Sequence, residues 1–249
     1  MTATLAITIL CAGVIGVSVG MLGAGGSILT VPLLGYVAGR PPREAITTSL
    51  VAVMITAAVA AVMHARAGRV RWRTGLAFGL AGMMGAFGGG RLSGYVPERL
   101  LMVMFGLTMA AAALAMLRGR RVRGGGEEAP VRLPVIAAQG AAVGSLTGLV
   151  GAGGGFIIVP SLHVFARLPM HAAVGTSLMV ITMNAGAGLV GHLGQASVDP
   201  VLTAAVAGAM IAGSLIGGQL AGKVEPERLR TGFGCFVIAV ALFVLFKQI

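Results

Sequence analysis

The residues with the plainest chemical potential in this chain are glycines. Residues 23–32 read GAGGSILTVP and residues 151–160 read GAGGGFIIVP, two blocks of ten with six identities at a spacing of 128. The first block offers Gly23, Ala24, Gly25, Gly26 and Ser27; the second offers Gly151, Ala152, Gly153, Gly154 and Gly155. Glycines allow backbone conformations that other residues resist, and they leave amides uncovered. A short apolar stretch follows each block, so each block leads into a helix. The first amides of a helix lack intrahelical partners and carry the positive end of its dipole. Such a terminus binds anions. Two of them converging would hold one small anion between the backbone amides of residues 24–27 and 152–155. Pro32 and Pro160 each either free the carbonyl four residues earlier or mark a helix start. The competing reading is that glycines in membrane helices serve close packing. That is the reading taken for GMMGAFGGGRLSG at 82–94.

Other polar residues share the same spacing. Thr48-Ser49-Leu50 returns as Thr176-Ser177-Leu178, and His64 returns as His192. The hydroxyls of Thr48, Ser49, Thr176 and Ser177 either cap helices and bond back to carbonyls, or donate to the substrate. Asn184 lies in mid-span, and the residue aligned with it is Thr56. The histidines lie at span ends and read as interfacial, with proton carriage as the alternative. The seven acids (Glu44, Glu98, Glu127, Glu128, Asp199, Glu225 and Glu227) fall in loops or at span edges. No carboxylate is therefore placed for a proton relay or a cation site. Ser27 has no histidine at comparable depth to act as a base, so no catalytic residue is assigned and an enzyme is not expected. No metal ligands or cofactor are expected either. Cys11 and Cys235 sit inside apolar runs and read as small core residues.

These residues must be carried by membrane helices. The 249-residue chain is 57% hydrophobic and only 10% charged, with a mean hydropathy of +0.96. A soluble domain carries about a quarter charged residues. Runs of apolar residues such as 45–63, 133–150, 172–191 and 201–222 approach the roughly twenty that span a bilayer as a helix. The short alternating strands of a barrel are absent. The formal charge of +11 sits in short loops between spans, where it sets orientation, so no nucleic-acid partner is expected.

The duplication extends far beyond the glycine blocks. Residues 16–94 align on 144–222 without a gap. The organisation expected is a first transmembrane repeat at 1–117, a cytoplasmic linker at 118–132 and a second transmembrane repeat at 133–249. Each repeat has five elements, roughly 4–21, 27–38, 44–64, 73–93 and 98–117, then 133–150, 155–166, 172–192, 200–222 and 228–247. The second element of each is about 18 Å long, short of the hydrocarbon thickness of about 30 Å. It crosses at a tilt or turns back as a re-entrant hairpin, and either way the repeat crosses an odd number of times. The expected fold is thus all-α and integral to the membrane, with two inverted repeats whose second helices are short, broken or re-entrant. Inversion puts thirteen Arg and Lys on one side and Arg40, Arg43, Arg99 and Lys247 on the other. Parallel copies would split the same residues ten to seven. The positive-inside rule prefers inversion, with both chain ends outside.

The two G-x-G-G-[GS]-x-x-x-V-P blocks, each followed by a T-S-L segment, resemble the sulfite exporter TauE/SafE family of membrane proteins. The resemblance covers essentially the whole chain. It implies a multi-pass protein of the bacterial inner membrane that exports a small sulfur-containing anion, sulfite or an organosulfonate. The family's glycine-rich blocks correspond to Gly23–Pro32 and Gly151–Pro160. Ser27 stands where the second block has Gly155, so the two halves of the site need not be equivalent. The partners expected are a small anion and the lipid bilayer, with the oligomeric state left open. A permease or channel for another small organic anion, or a membrane protein that transports nothing, are the alternatives.

Overall fold

The structure, a computed structural model, describes residues 2–22, 28–118, 133–150, 154–164, 166, 168–194, 198–220 and 226–247. Among these residues the chain is helical and has no strand. The helices are α1 (Thr2–Leu22), α2 (Thr30–Pro32), α3 (Pro42–Arg66), α4 (Trp72–Ser93), α5 (Glu98–Arg118), α6 (Leu133–Val150), α7 (Gly155–Val164), α8 (Met170–Gly191), α9 (Pro200–Leu220) and α10 (Pro226–Phe246). The long helices agree with the sequence expectation to within two residues at either end. Among the described residues four stretches, Thr4–Met21, Pro42–Arg66, His171–Gly191 and Pro200–Leu220, are long and apolar enough to cross a membrane.

The second element of the first half departs from a plain helix. After Pro32 the chain widens into a π-helical turn at Leu33–Val37. Pro32 has no amide hydrogen, so the ladder of bonds to the fourth residue back is broken at this point. Ala38 donates to the Leu33 carbonyl at 3.0 Å instead, and Gly39, at φ +68°, turns the chain out. The element is short and broken, among the forms the sequence left open for it.

Glycines join the long helices backbone to backbone. Cβ atoms added at Gly16 and Gly20 of α1 would strike Met210 and Ser214 of α9, and those at Gly213 and Gly217 would strike Gly13 and Val17. A second seam repeats the first: Gly144 and Gly148 of α6 meet Gly82 and Ala86 of α4, and Gly85 and Gly89 meet Ala141 and Ser145. Each contact of one seam becomes a contact of the other when 128 is added to one number and subtracted from its partner's. Small residues let backbones approach this closely, which is how helices associate where lipid removes the hydrophobic drive. The packing reading of residues 82–94 fits Gly82, Gly85 and Gly89 directly.

Helix directions follow from the same contacts. Along α8, Gly175 lies beside His64, Gly186 beside Met54 and Gly188 beside Leu50, so α3 and α8 run antiparallel. Residues 16 and 20 meet 210 and 214, so α1 and α9 run parallel, as do α4 and α6.

The two ends of the bundle are also defined. At one end Arg40 pairs with Asp199 and Glu44, Arg43 pairs with Glu98, and the Lys247 ammonium lies 5.1 Å from the Tyr36 ring. At the other end the Arg71 amide donates to Thr176 Oγ1 at 2.9 Å, and the Arg69 carbonyl lies beside Gly175. The sparse set Arg40, Arg43 and Lys247 is therefore gathered at the end opposite Arg69, Arg71 and Arg73.

Candidate functional site

Of the two glycine blocks, Gly23, Ala24, Gly25, Gly26, Ser27, Gly151, Ala152 and Gly153 lie outside the described residues. Gly154 and Gly155 lie within them and are buried. Gly154 has φ +73°, and a Cβ added to it would run into the Thr147 side chain. Conformation and close approach both demand glycine there. Its carbonyl accepts from the amides of Ile157 and Ile158 at 3.0 Å, which starts α7 directly after the block. Pro160 falls inside α7 and Pro32 closes α2, so neither marks a helix start.

The four repeated hydroxyls are all fully buried. Their partners differ between the halves. Thr176 accepts from the Arg71 amide, and Ser177 donates to the Val174 carbonyl at 2.8 Å. The Thr48 and Ser49 hydroxyls have no hydrogen-bond partner. Most buried polar groups are bonded, and one left without a partner costs about 1–3 kcal/mol.

The structure does not gather these hydroxyls around one point. In the antiparallel register, Thr176 lies level with His64 and its neighbours, while Thr48 lies near the level of Gly188. About fifteen residues of α3 separate the two levels, or roughly 20 Å at 1.5 Å per residue. Thr48 and Ser49 instead share a level with the end of α6, because Gly148 touches Gly188 and Gly188 touches Leu50. Gly188 of α8 stands between them and the helix that leads into the second glycine block.

Asn184 lies between these two levels. It is 1% exposed, and neither Oδ1 nor Nδ2 has a hydrogen-bond partner. A Cβ on Gly82 of α4 would meet its Oδ1 at 2.5 Å, so the amide is fitted against a bare backbone. Thr56 of α3 is also fully buried, and its hydroxyl is likewise without a partner. Sequence reasoning noticed Thr56 only as the residue aligned with Asn184.

The histidines are placed differently from each other. His192 is buried, with Nδ1 2.9 Å from the Gly188 carbonyl and Nε2 3.0 Å from Ser93 Oγ. His64 Nδ1 is buried without a partner. Among the described residues no cluster of His, Cys, Asp and Glu could hold a metal ion.

Residues 8–244 match the family model described as sulfite exporter TauE/SafE. A probable membrane transporter protein of Xylella fastidiosa is 37% identical over 98% of this chain and 96% of its own length. The probable membrane transporter protein YdhB of Bacillus subtilis is 29% identical over 76% of this chain and 78% of its own. One from Methanocaldococcus jannaschii, MJ0441, is 27% identical over 72% and 69%. No solved structure matches. With four helices among the described residues long and apolar enough to cross a bilayer, this is a multi-pass membrane protein, and the chain belongs to the sulfite exporter TauE/SafE family.

Proposed function

We propose that the protein is a secondary transporter that exports a small sulfur-containing anion, sulfite or an organosulfonate, across the cytoplasmic membrane. The family description and the names of the relatives support transport of this kind. The observation that carries the reading is the exchange of the halves. The helices α3 and α8, the third elements of the two repeats, run antiparallel, and the glycine seams exchange under a shift of 128. Both features fit two inverted repeats, at 1–117 and 133–249. Inverted repeats with broken helices place substrate sites between the copies and alternate access around them.

The anion is held in turn at two related stations, one at each level of hydroxyls. Backbone amides of residues 24–27 serve one and those of residues 152–155 the other. Thr176 and Ser177 lie at the first level, and Thr48 and Ser49 at the second. The Arg69 end faces the cytoplasm, because the basic loops belong there. The basic charge serves orientation and does not bind nucleic acid.

The test is flux from proteoliposomes loaded with sulfite or taurine. Wild-type protein is expected to release one of them, and the Gly25→Val, Gly153→Val double variant is expected to fold and release neither. Equal release from wild-type and empty liposomes overturns the reading.

A further inference from the structure

The antiparallel contacts of α3 and α8 share a centre. Gly186 lies beside Met54 and Gly188 beside Leu50, so the residue level with Asn184 is Thr56. These two are also related by the repeat spacing of 128. Only at a two-fold centre does a residue face its own repeat counterpart. Thr56 and Asn184 therefore mark the middle of the bundle, about 12 Å along α3 from Thr48 at 1.5 Å per residue.

Three polar atoms at this centre, Thr56 Oγ1 and Asn184 Oδ1 and Nδ2, are buried with no hydrogen-bond partner. Polar side chains inside membrane bundles commonly act as glue by bonding across helices. These two do not bond to each other or to a neighbouring carbonyl, so they supply no such glue. Valine and leucine would fill the same volumes without the cost of an unmet hydrogen bond. Polar residues kept inside a membrane against such a cost mark substrate pathways.

The geometry points to Thr56 and Asn184 as a central substrate contact that selects a singly charged oxyanion. This rests on the transporter reading above. The hydroxyl and the amide NH₂ donate to the anion's oxygen atoms, and both groups are neutral. Among the described charged side chains, Arg40, Arg43, Asp199 and Lys247 lie at one bundle end and Arg69, Arg71 and Arg73 at the other, and Arg91 lies over the Phe87 ring in the last turn of α4. A centre with neutral donors desolvates one charge at far lower cost than two, because the charging penalty grows as the square of the charge. Neutral donors also bind weakly enough to release the ion onward.

The experiment uses the full chain, purified and reconstituted, with methanesulfonate as the singly charged probe and sulfate as the doubly charged one. The variants are Thr56→Val, Asn184→Leu and the exchange Thr56→Asn with Asn184→Thr. Binding is read by calorimetry and folding by thermal unfolding of the anion-free protein. Each single variant is expected to weaken methanesulfonate binding about ten- to hundredfold, the worth of a hydrogen bond to a charged group. The same variants are expected to melt at or above the wild-type temperature, since each removes an unmet polar group. The exchange variant is expected to retain binding. Single variants that bind methanesulfonate as wild type does overturn the central contact and leave the transporter reading standing. Wild-type protein that prefers sulfate overturns the charge selection. Wild-type protein that neither binds nor moves methanesulfonate, sulfite or sulfate overturns the transporter reading itself.

Discussion

Arg40 and Asp199 meet across the two halves of the chain, Nη2 to Oδ2 at 2.6 Å. The other oxygen of the same carboxylate accepts from the Val201 and Leu202 amides at 3.0 and 3.1 Å, which caps α9. The Leu202 amide, followed by the Arg40 guanidinium and the Val201 amide, holds the Asp199 carboxyl below its ordinary pKa. A carboxyl depressed by folding adds stability above its unfolded value, about 3.9, and loses it as pH falls through the folded value.

Asp199→Ala is therefore expected to melt below wild type at pH 7, with the gap closing as pH falls below about 4. Asp199→Asn keeps an oxygen that can cap the helix, so it is expected to fall between the two. Thermal unfolding in detergent across pH measures this. A gap that widens on acidification reverses the sign and rules out the linkage.

The glycine seams predict a contrast between glycines of the same helical class. A methyl at Gly144 would overlap the Gly82 carbonyl, whereas a methyl at Gly88 meets nothing within 4 Å. Gly144→Ala is expected to cost about 1–3 kcal/mol through forced separation of α4 and α6. Gly88→Ala is expected to be neutral or to gain up to about 1 kcal/mol from helix propensity. Chemical denaturation of both variants in one detergent compares them. Equal losses would remove the backbone seam as the cause.

Topology is tested by chemistry at the two ends. With Cys11 and Cys235 replaced by serine, Arg69→Cys and Leu193→Cys place single exposed thiols at opposite ends of the bundle. In intact cells a membrane-impermeant maleimide is expected to reach the thiol at 193 and to reach the one at 69 only after lysis. Labelling of both from outside rules out the inverted arrangement.

The helices were legible because the sequence states most of them twice. The run at 133–150 is apolar, preceded by Arg132 and followed by the glycine block, and α6 occupies those residues. The seam was legible as well, since GMMGAFGGGRLSG has too many glycines for any other helix to need them apart from packing. The distribution of the site was not. Thr48-Ser49 and Thr176-Ser177 look like one set in sequence, yet antiparallel placement sends the copies to opposite levels. Duplication reports which residues correspond and is silent on how far apart the symmetry carries them. The role of Thr176 at the start of α4 was equally hidden, because its partner is a backbone amide at Arg71. Thr56 has nothing unusual in its local sequence; the antiparallel register with Asn184 is what singles it out.

The driving force gives the last prediction. The carboxylates of Glu44, Glu98 and Asp199 all lie at helix ends on the Arg40 side, bonded to arginine. None is placed along the path between the two hydroxyl levels. His192 has both ring nitrogens engaged, by the Gly188 carbonyl and Ser93, so it is held as a structural residue. An anion leaving a cell needs no coupling ion, because the interior is negative. The potential is worth about 2.3 kcal/mol per elementary charge per 100 mV, or roughly a fiftyfold concentration ratio for a single charge. Export is therefore expected to follow the potential alone. In proteoliposomes clamped with potassium and valinomycin, and with no proton or sodium gradient, outward flux of a singly charged sulfonate should rise with interior-negative voltage and reverse when the voltage is reversed. His64→Gln should behave as wild type. Flux that ignores the voltage and appears only under a proton or sodium gradient would replace electrogenic export with coupled transport, and loss of that flux in His64→Gln would identify the coupling residue.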